Sequence, residues 1–150
     1  MKSTLLNTRV LLPLLMSLLM AFGATQSVFA ESNAKHKLVI QVSTDDARTQ
    51  KIALNNAVNV QKLLGMDNVD VEIVAYGPGL GLLTAKSKEA ARVKSLAMQN
   101  ITFSACGNTM AKVEKKTGKK PKLTEGVKVV EAGVARIMEL QEAGYSYLRP

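Results

Sequence analysis

The chain has 150 residues, 47% of them hydrophobic, and a formal net charge of +8. That length supports one core without disulfide staples, and the single cysteine excludes an intramolecular disulfide. With no tryptophan, and no aromatic residue inside the main lysine cluster, the chain offers no stacking platform for bases, and no nucleic-acid partner is expected.

Residues 1–30 read as a cleavable export signal. Lys2 and Arg9 form a positive start, Val10 to Ala24 is apolar, and Val28-Phe29-Ala30 supplies small residues at the cleavage positions. The apolar run is shorter than the roughly 20 residues of a membrane span and contains Pro13, so cleavage after Ala30 is favoured over an anchor. No cysteine follows the run, which excludes a lipoprotein anchor. The expected product is a periplasmic domain of residues 31–150 with no further membrane association. Removal of Lys2 and Arg9 leaves 18 Lys and Arg against 12 Asp and Glu, a net +6.

Lys37 to Val42 reads as the first strand, bounded by Ser43-Thr44-Asp45-Asp46, whose side-chain oxygens suit a helix cap. A helix follows over Ala47–Leu64, with Ala53, Ala57, Val60 and Leu64 on its inner face, widened by Ile52, Leu54, Val58 and Leu63, and Gly65 as its stop. Val69 to Tyr76 is the second strand; its continuous apolar end predicts cover on both faces. Gly77-Pro78-Gly79-Leu80-Gly81 breaks it. A second helix is predicted over Ser87–Gln99 with Ala90, Val93, Ala97 and Met98 inward. Ile101 to Ala105 is the third strand, and Asn108 to Thr117 the third helix, ended by Gly118. Val127 to Val130 is a short fourth strand. Gly133 to Glu142 forms a fourth helix with Val134, Ile137, Met138 and Gln141 inward, and Tyr145 to Leu148 a last strand.

Strands and helices alternate, which predicts βαβ units in a three-layer α/β/α sandwich with a mainly parallel five-stranded sheet. Right-handed crossovers gather the strand C-terminal ends on one edge, where open α/β sheets hold their ligands. Ser43 to Asp46, Tyr76 to Gly81, Cys106 to Thr109 and Glu131 to Gly133 meet there.

Cys106 is therefore the candidate reactive residue. An unpaired cysteine in an exported chain is a buried inert side chain, an intermolecular link or a working thiol. Gly107 permits close backbone approach, and Asn108 suits a cap, so the N–H groups of a helix start at Asn108 and Thr109 would face the sulfur. A helix N-terminus, carrying about half a positive charge, lowers a thiol's pKa from its free value of about 8.5. Gly77 and Gly79 are read as a rim to the pocket that holds Cys106. Asp45 is read as a cap or as a carboxylate orienting a proton near the thiol, and Tyr76 and Glu131 as strand-end groups beside it. Asp46 shares both of these readings.

Other chemistries find less support. The glycine segment fails the dinucleotide fingerprint, because Leu82 stands where glycine or alanine is required. His36 precedes the first strand at the opposite edge, so no Cys/His pair is expected, and one His with one Cys gives no metal-ligand spacing. No cofactor is expected. Lys112, Lys115, Lys116, Lys119, Lys120 and Lys122 fall within eleven residues and read first as a solvated helix end complementing the helix dipole, second as a polyanion or membrane-surface patch.

Phe103-Ser104-Ala105-Cys106-Gly107-Asn108-Thr109-Met110 resembles the cysteine segment of DsrE/DsrF-like proteins, a small α/β family linked to sulfur oxidation and sulfur relay. Asp70 to Leu80 resembles that family's second strand and glycine-rich turn, and Gly126 to Pro150 the C-terminal end of a DsrE-like subgroup. The resemblance implies a three-layer sandwich, homo-oligomeric assembly, and a cysteine that accepts sulfane sulfur as a persulfide; Cys106 alone matches that position. It also implies a sulfur donor or acceptor, protein or small sulfur compound, although the family's cytoplasmic relay partners do not carry over to an exported chain. The alternative is a non-catalytic ligand-binding or assembly module with a structural cysteine. A redox thiol enzyme is disfavoured, since the chain has no resolving cysteine. Any enzymatic role is thus at most sulfurtransferase-like.

Overall fold

Short runs rich in valine and isoleucine form the strands, and each is followed by a polar or glycine-containing turn that starts a helical segment. The computed structural model describes residues 35–150; the expected leader over residues 1–30 lies outside them. Strands β1 (His36–Val42), β2 (Val69–Ala75), β3 (Ile101–Cys106), β4 (Val127–Val130) and β5 (Ser146–Leu148) form one sheet in the order β4-β3-β2-β1-β5. Every pairing within that sheet is parallel. Helices α1 (Ala47–Leu64), α2 (Ala90–Ala97), α3 (Gly107–Thr117) and α4 (Gly133–Glu142) lie between the strands, and a 3-10 segment, Gly77–Leu83, follows β2.

The order of the strands distributes the helices unequally. The first three crossovers step one strand at a time, β1 to β2 to β3 to β4, and place α1, α2 and α3 on one face. There Ile40, Val42, Ile73, Phe103 and Ala105 pack against Ala53, Leu54 and Ala57 of α1, Val93 and Leu96 of α2, and Met110 of α3. The fourth crossover runs from the β4 edge to the β5 edge. It places α4, alone among the described helices, on the opposite face, where Ile137 and Leu140 meet Val39 and Val74 in a second, smaller cluster. The expected α/β/α sandwich is observed, with three of the described helices on one side and one on the other.

Several expected details differ. The second helix is shorter than Ser87–Gln99: Ser87 Oγ accepts from the Glu89 N–H at 3.1 Å and its carbonyl from Ala90 N–H at 3.1 Å, so this segment turns before the helix begins. Met98 is 72% exposed, and Leu96, two residues earlier and on the other side of the helix, is buried in its place. Ile52 and Leu63 do not widen the inner face of α1, since both are exposed; Gln61 is buried and donates to the Gln99 carbonyl at 2.7 Å. On α4, Val134, Met138 and Gln141 face outward, and only Ile137 of the four expected residues is buried. The helix is rotated because Gly133 and Arg136 share the inward side with Ile137 and Leu140. The glycine run after β2 is a 3-10 turn, and β3 runs one residue further than Ala105, to Cys106 itself.

Candidate functional site

Cys106 occupies two structural roles at once. It is the last residue of β3 and, with φ −69° and ψ 115°, the N-cap of α3. The cap position expected at Asn108 is therefore two residues earlier, and Gly107 is the first helical residue. At this position the sulfur lies beside the N–H groups of the first turn. The side chain is 6% exposed.

Three loops close around it. Gly107 lies where an added Cβ would stand 3.1 Å from the Val130 carbonyl oxygen and 3.2 Å from that of Glu131, so its lack of a side chain lets the end of β4 approach. The Asn108 N–H donates to the Glu131 carbonyl at 3.1 Å, tying the β4–α4 loop to α3. From the other side the Gly77 N–H, at a residue with φ +54°, donates to Thr109 Oγ1 at 3.0 Å. Gly133, the first residue of α4, is buried against Tyr76 and Cys106; a Cβ there would stand 3.1 Å from Tyr76 Cβ and 3.3 Å from Cys106 Cβ. The cysteine is thus held between the starts of two helices and the turn after β2.

Burial in this setting works against the thiolate, but hydrogen bonds from the Thr109 hydroxyl and from the Gly133, Thr109 and Asn108 N–H groups outweigh it and hold the Cys106 thiol below its ordinary pKa. The Cys106 side chain makes no capping hydrogen bond within α3 itself. Thr109→Val removes one of these donors and also the acceptor for Gly77 N–H. The alkylation of Cys106 should then move to higher pH, and its rate at pH 7 should fall roughly 3- to 10-fold, as expected for one weakened hydrogen bond to a charged group. An unchanged pH profile would remove Thr109 from the set of anion donors.

The remaining expected residues are dispersed. Gly79 is buried, and an added Cβ would stand 2.2 Å from the Val42 carbonyl oxygen; its close approach is to the end of β1. Asp45 lines a separate depression of about 420 Å3 with Gln50, Lys51, Lys88 and Glu89. Asp46 caps α1, accepting from Thr49 N–H and Thr49 Oγ1, each at 2.7 Å, and these bonds hold its carboxyl below the usual range. Tyr76 is half-buried beside Gly133, and Glu131 is exposed, contributing its carbonyl. The six lysines from Lys112 to Lys122 are exposed. Among the described residues, no group of three or more His, Cys, Asp and Glu is placed to hold a metal ion, and no helix is long and apolar enough to cross a membrane.

One feature on the sheet face that α4 covers has no sequence motif. Glu72 on β2 is 4% exposed, on the sheet face that α4 covers. It accepts from Ser104 Oγ at 2.7 Å and from Arg136 Nε and Nη2 at 2.9 Å each. Burial opposes its ionisation, but Arg136 and Ser104 prevail and hold the carboxyl below its usual range. A groove of about 790 Å3 runs beside this network along the part of the sheet that α4 leaves bare, lined by Asp70, Ser104, Lys128, Glu131 and Arg136. It borders the residues flanking Cys106, and Cys106 itself is not in its wall. The alternation of Asp70 and Glu72 with apolar residues on β2 was the available signal; the partners, 32 and 64 residues away, required the register of the sheet.

The DsrE/DsrF-like family model matches residues 36–150. This chain belongs to the DsrE/DsrF-like family. Among solved structures, this DsrE/DsrF-like protein is similar to a protein of unknown function, MTH1491 from Methanobacterium thermoautotrophicum, at 32% identity and TM-score 0.69, over 77% of this chain and all of that one. It also resembles the ychN protein from E. coli, at TM-score 0.61 over 77% of this chain and 99% of that one; at 11% identity this likeness concerns the fold. No curated protein matches the chain.

Proposed function

We propose that this DsrE/DsrF-like protein carries sulfane sulfur as a persulfide on Cys106. The observation that supports this reading is the position of the sulfur at the N-cap of α3, with the Thr109 hydroxyl and three backbone amides favouring its anion. The Cys106 thiolate attacks the terminal sulfur of a donor persulfide, R–S–SH. A new S–S bond forms on Cys106, the donor S–S bond breaks, and R–S⁻ leaves with the electron pair. An acceptor thiolate then attacks the outer sulfur, and the Cys106 thiolate is released. Neither transfer has a net change of oxidation state, so a single cysteine suffices, and no resolving thiol is required. The same amides that face the thiolate receive it again as leaving group. The expected export signal would place this exchange in the periplasm, with donor and acceptor drawn from that compartment.

The 6% exposure of Cys106 favours a second reading, a packing cysteine in a binding or assembly module. One experiment decides between them. The purified protein is incubated with a small persulfide donor and its intact mass is measured beside Cys106→Ser. The expected result is a gain of one sulfur in the wild type, absent from the variant and reversed by a thiol acceptor. Equal masses for both proteins would sink the carrier and leave the packing role.

A further inference from the structure

We propose that Glu72 and Arg136 are positioning residues for Cys106, acting through α4 to keep the Gly133 N–H on the sulfur. The inference rests on the reading of Cys106 as a working thiol and assigns a regulating function to a network that no motif announces. The starting point is that, among the described residues, α4 is the single helix on its face of the sheet, held there by an apolar cluster of only four buried residues. Its C-terminal end is fastened separately, by Lys37 Nζ donating to the Ala143 carbonyl at 3.0 Å. Its N-terminal end bears Gly133, where an added Cβ would stand 3.3 Å from Cys106 Cβ and 3.1 Å from Tyr76 Cβ.

Arg136 lies three residues after Gly133, on the same inward side. Its two bonds to the two oxygens of Glu72, both 2.9 Å, form a planar fork that fixes the rotation and the height of the first turn of α4 together, which one point contact would not do. Glu72 is itself anchored to β3 through Ser104, two residues before Cys106. One carboxylate thereby links β2, the strand that bears the cysteine, and the helix whose first residue packs beside Cys106. Glu139 takes a third bond from Arg136, at 3.2 Å, from the exposed side. The ionisable side chains on the elements around Cys106 are Asp70 and Glu72 from β2 and Tyr76 just after it, Lys128 from β4 and Glu131 just after it, Lys112, Glu114, Lys115 and Lys116 from α3, and Arg136, Glu139 and Glu142 from α4.

The sign of one substitution separates positioning from through-space electrostatics. Glu72→Gln removes a negative charge from the neighbourhood of the thiol, and charge alone would shift Cys106 ionisation to lower pH. Loss of the fork frees the first turn of α4, weakens the Gly133 bond, and shifts it to higher pH. The test is the pH profile of iodoacetamide alkylation of the single thiol, from about pH 5 to about pH 10, in the full chain. With Glu72→Gln the midpoint is expected to rise and the thiolate fraction at pH 7 to fall roughly 3- to 10-fold. Arg136→Lys, which keeps the charge and loses the fork, should shift the midpoint the same way, and serves alone if Glu72→Gln does not fold. Glu139→Gln, which leaves the fork intact, should superimpose on the wild type. A midpoint that stays or falls in the folded fork variants overturns the proposal. Alkylation does not depend on sulfur transfer, so a protein that fails to take up sulfur but shows these shifts would sink the carrier and keep the clamp.

Discussion

Gly79→Ala is expected to cost at least about 3 kcal/mol, enough to leave much of the domain unfolded at moderate temperature. The added Cβ would stand 2.2 Å from the Val42 carbonyl oxygen, 2.6 Å from its carbon and 2.9 Å from the Ser43 nitrogen. All three are backbone atoms at the end of β1, which cannot swing aside as a side chain would. Overpacking a core commonly costs about 1–3 kcal/mol where side chains yield, so a clash with a fixed backbone lies at or beyond that range. Gly81, two residues on, is the matched control: nothing lies within 4 Å of its added Cβ and its φ is not positive, so Gly81→Ala should stay within about 0.5 kcal/mol of the wild type. Urea denaturation of the pair measures the contrast. Similar midpoints for both variants would show that the turn after β2 gives way freely, and that its approach to β1 is not what holds it beside the thiol.

The second large effect concerns the buried carboxylate. Arg136→Met should destabilise the protein by about 2–4 kcal/mol at neutral pH, since removing one partner strands a desolvated charge. The figure is set below that of a fully enclosed pair because the Arg136 side chain is 35% exposed. The pH dependence carries its own sign. In the wild type the folded Glu72 carboxyl is held below its ordinary range, so its contribution to stability is complete above the unfolded pKa, near 4.5, and is lost as pH falls through the lower folded value. In Arg136→Met burial acts without the guanidinium, Glu72 titrates at higher pH in the folded state, and protonation relieves the penalty. The stability difference between the two proteins should therefore shrink as pH is lowered towards 4. Denaturant midpoints collected across that range decide it; a difference that is constant with pH would mean that the lost guanidinium acted by packing alone.

Much of the fold was legible because its strands and helices differ plainly in period. β1, β2 and β4 and helices α1 and α4 stand within a residue of where alternation and caps place them, and Asp46 caps α1 through its own oxygen. What was not legible depended on which of two apolar flanks a helix turns inward. Val134 and Met138 pattern as well as Leu140 does, yet they face out, because the rotation of α4 is set by the Gly133 contact and by the Arg136 fork, both of which need β2 and β3 in register. Met98 and Leu63 are exposed for a related reason: each lies at a helix end, past the width of the sheet. At the site, the cysteine and the glycines around it were readable from local chemistry. The separation of Asp45 from the thiol was not, since it required knowing which side chains share the depression that Asp45 lines, and Cys106 is not among them.

The jump of α4 across the sheet also shapes how the molecule can assemble. β5 pairs with β1, so Tyr147 reaches Gln41 across 106 positions of chain. The three pairings of β1 to β4 each close over a few tens of residues, whereas this one waits for nearly the whole domain. Loop closure over longer spans is entropically dearer, and topologies dominated by distant partners fold slowly. During synthesis β1 therefore keeps an open hydrogen-bonding edge until the last segment joins, and for that interval this inner strand is the one through which two nascent chains could stick together.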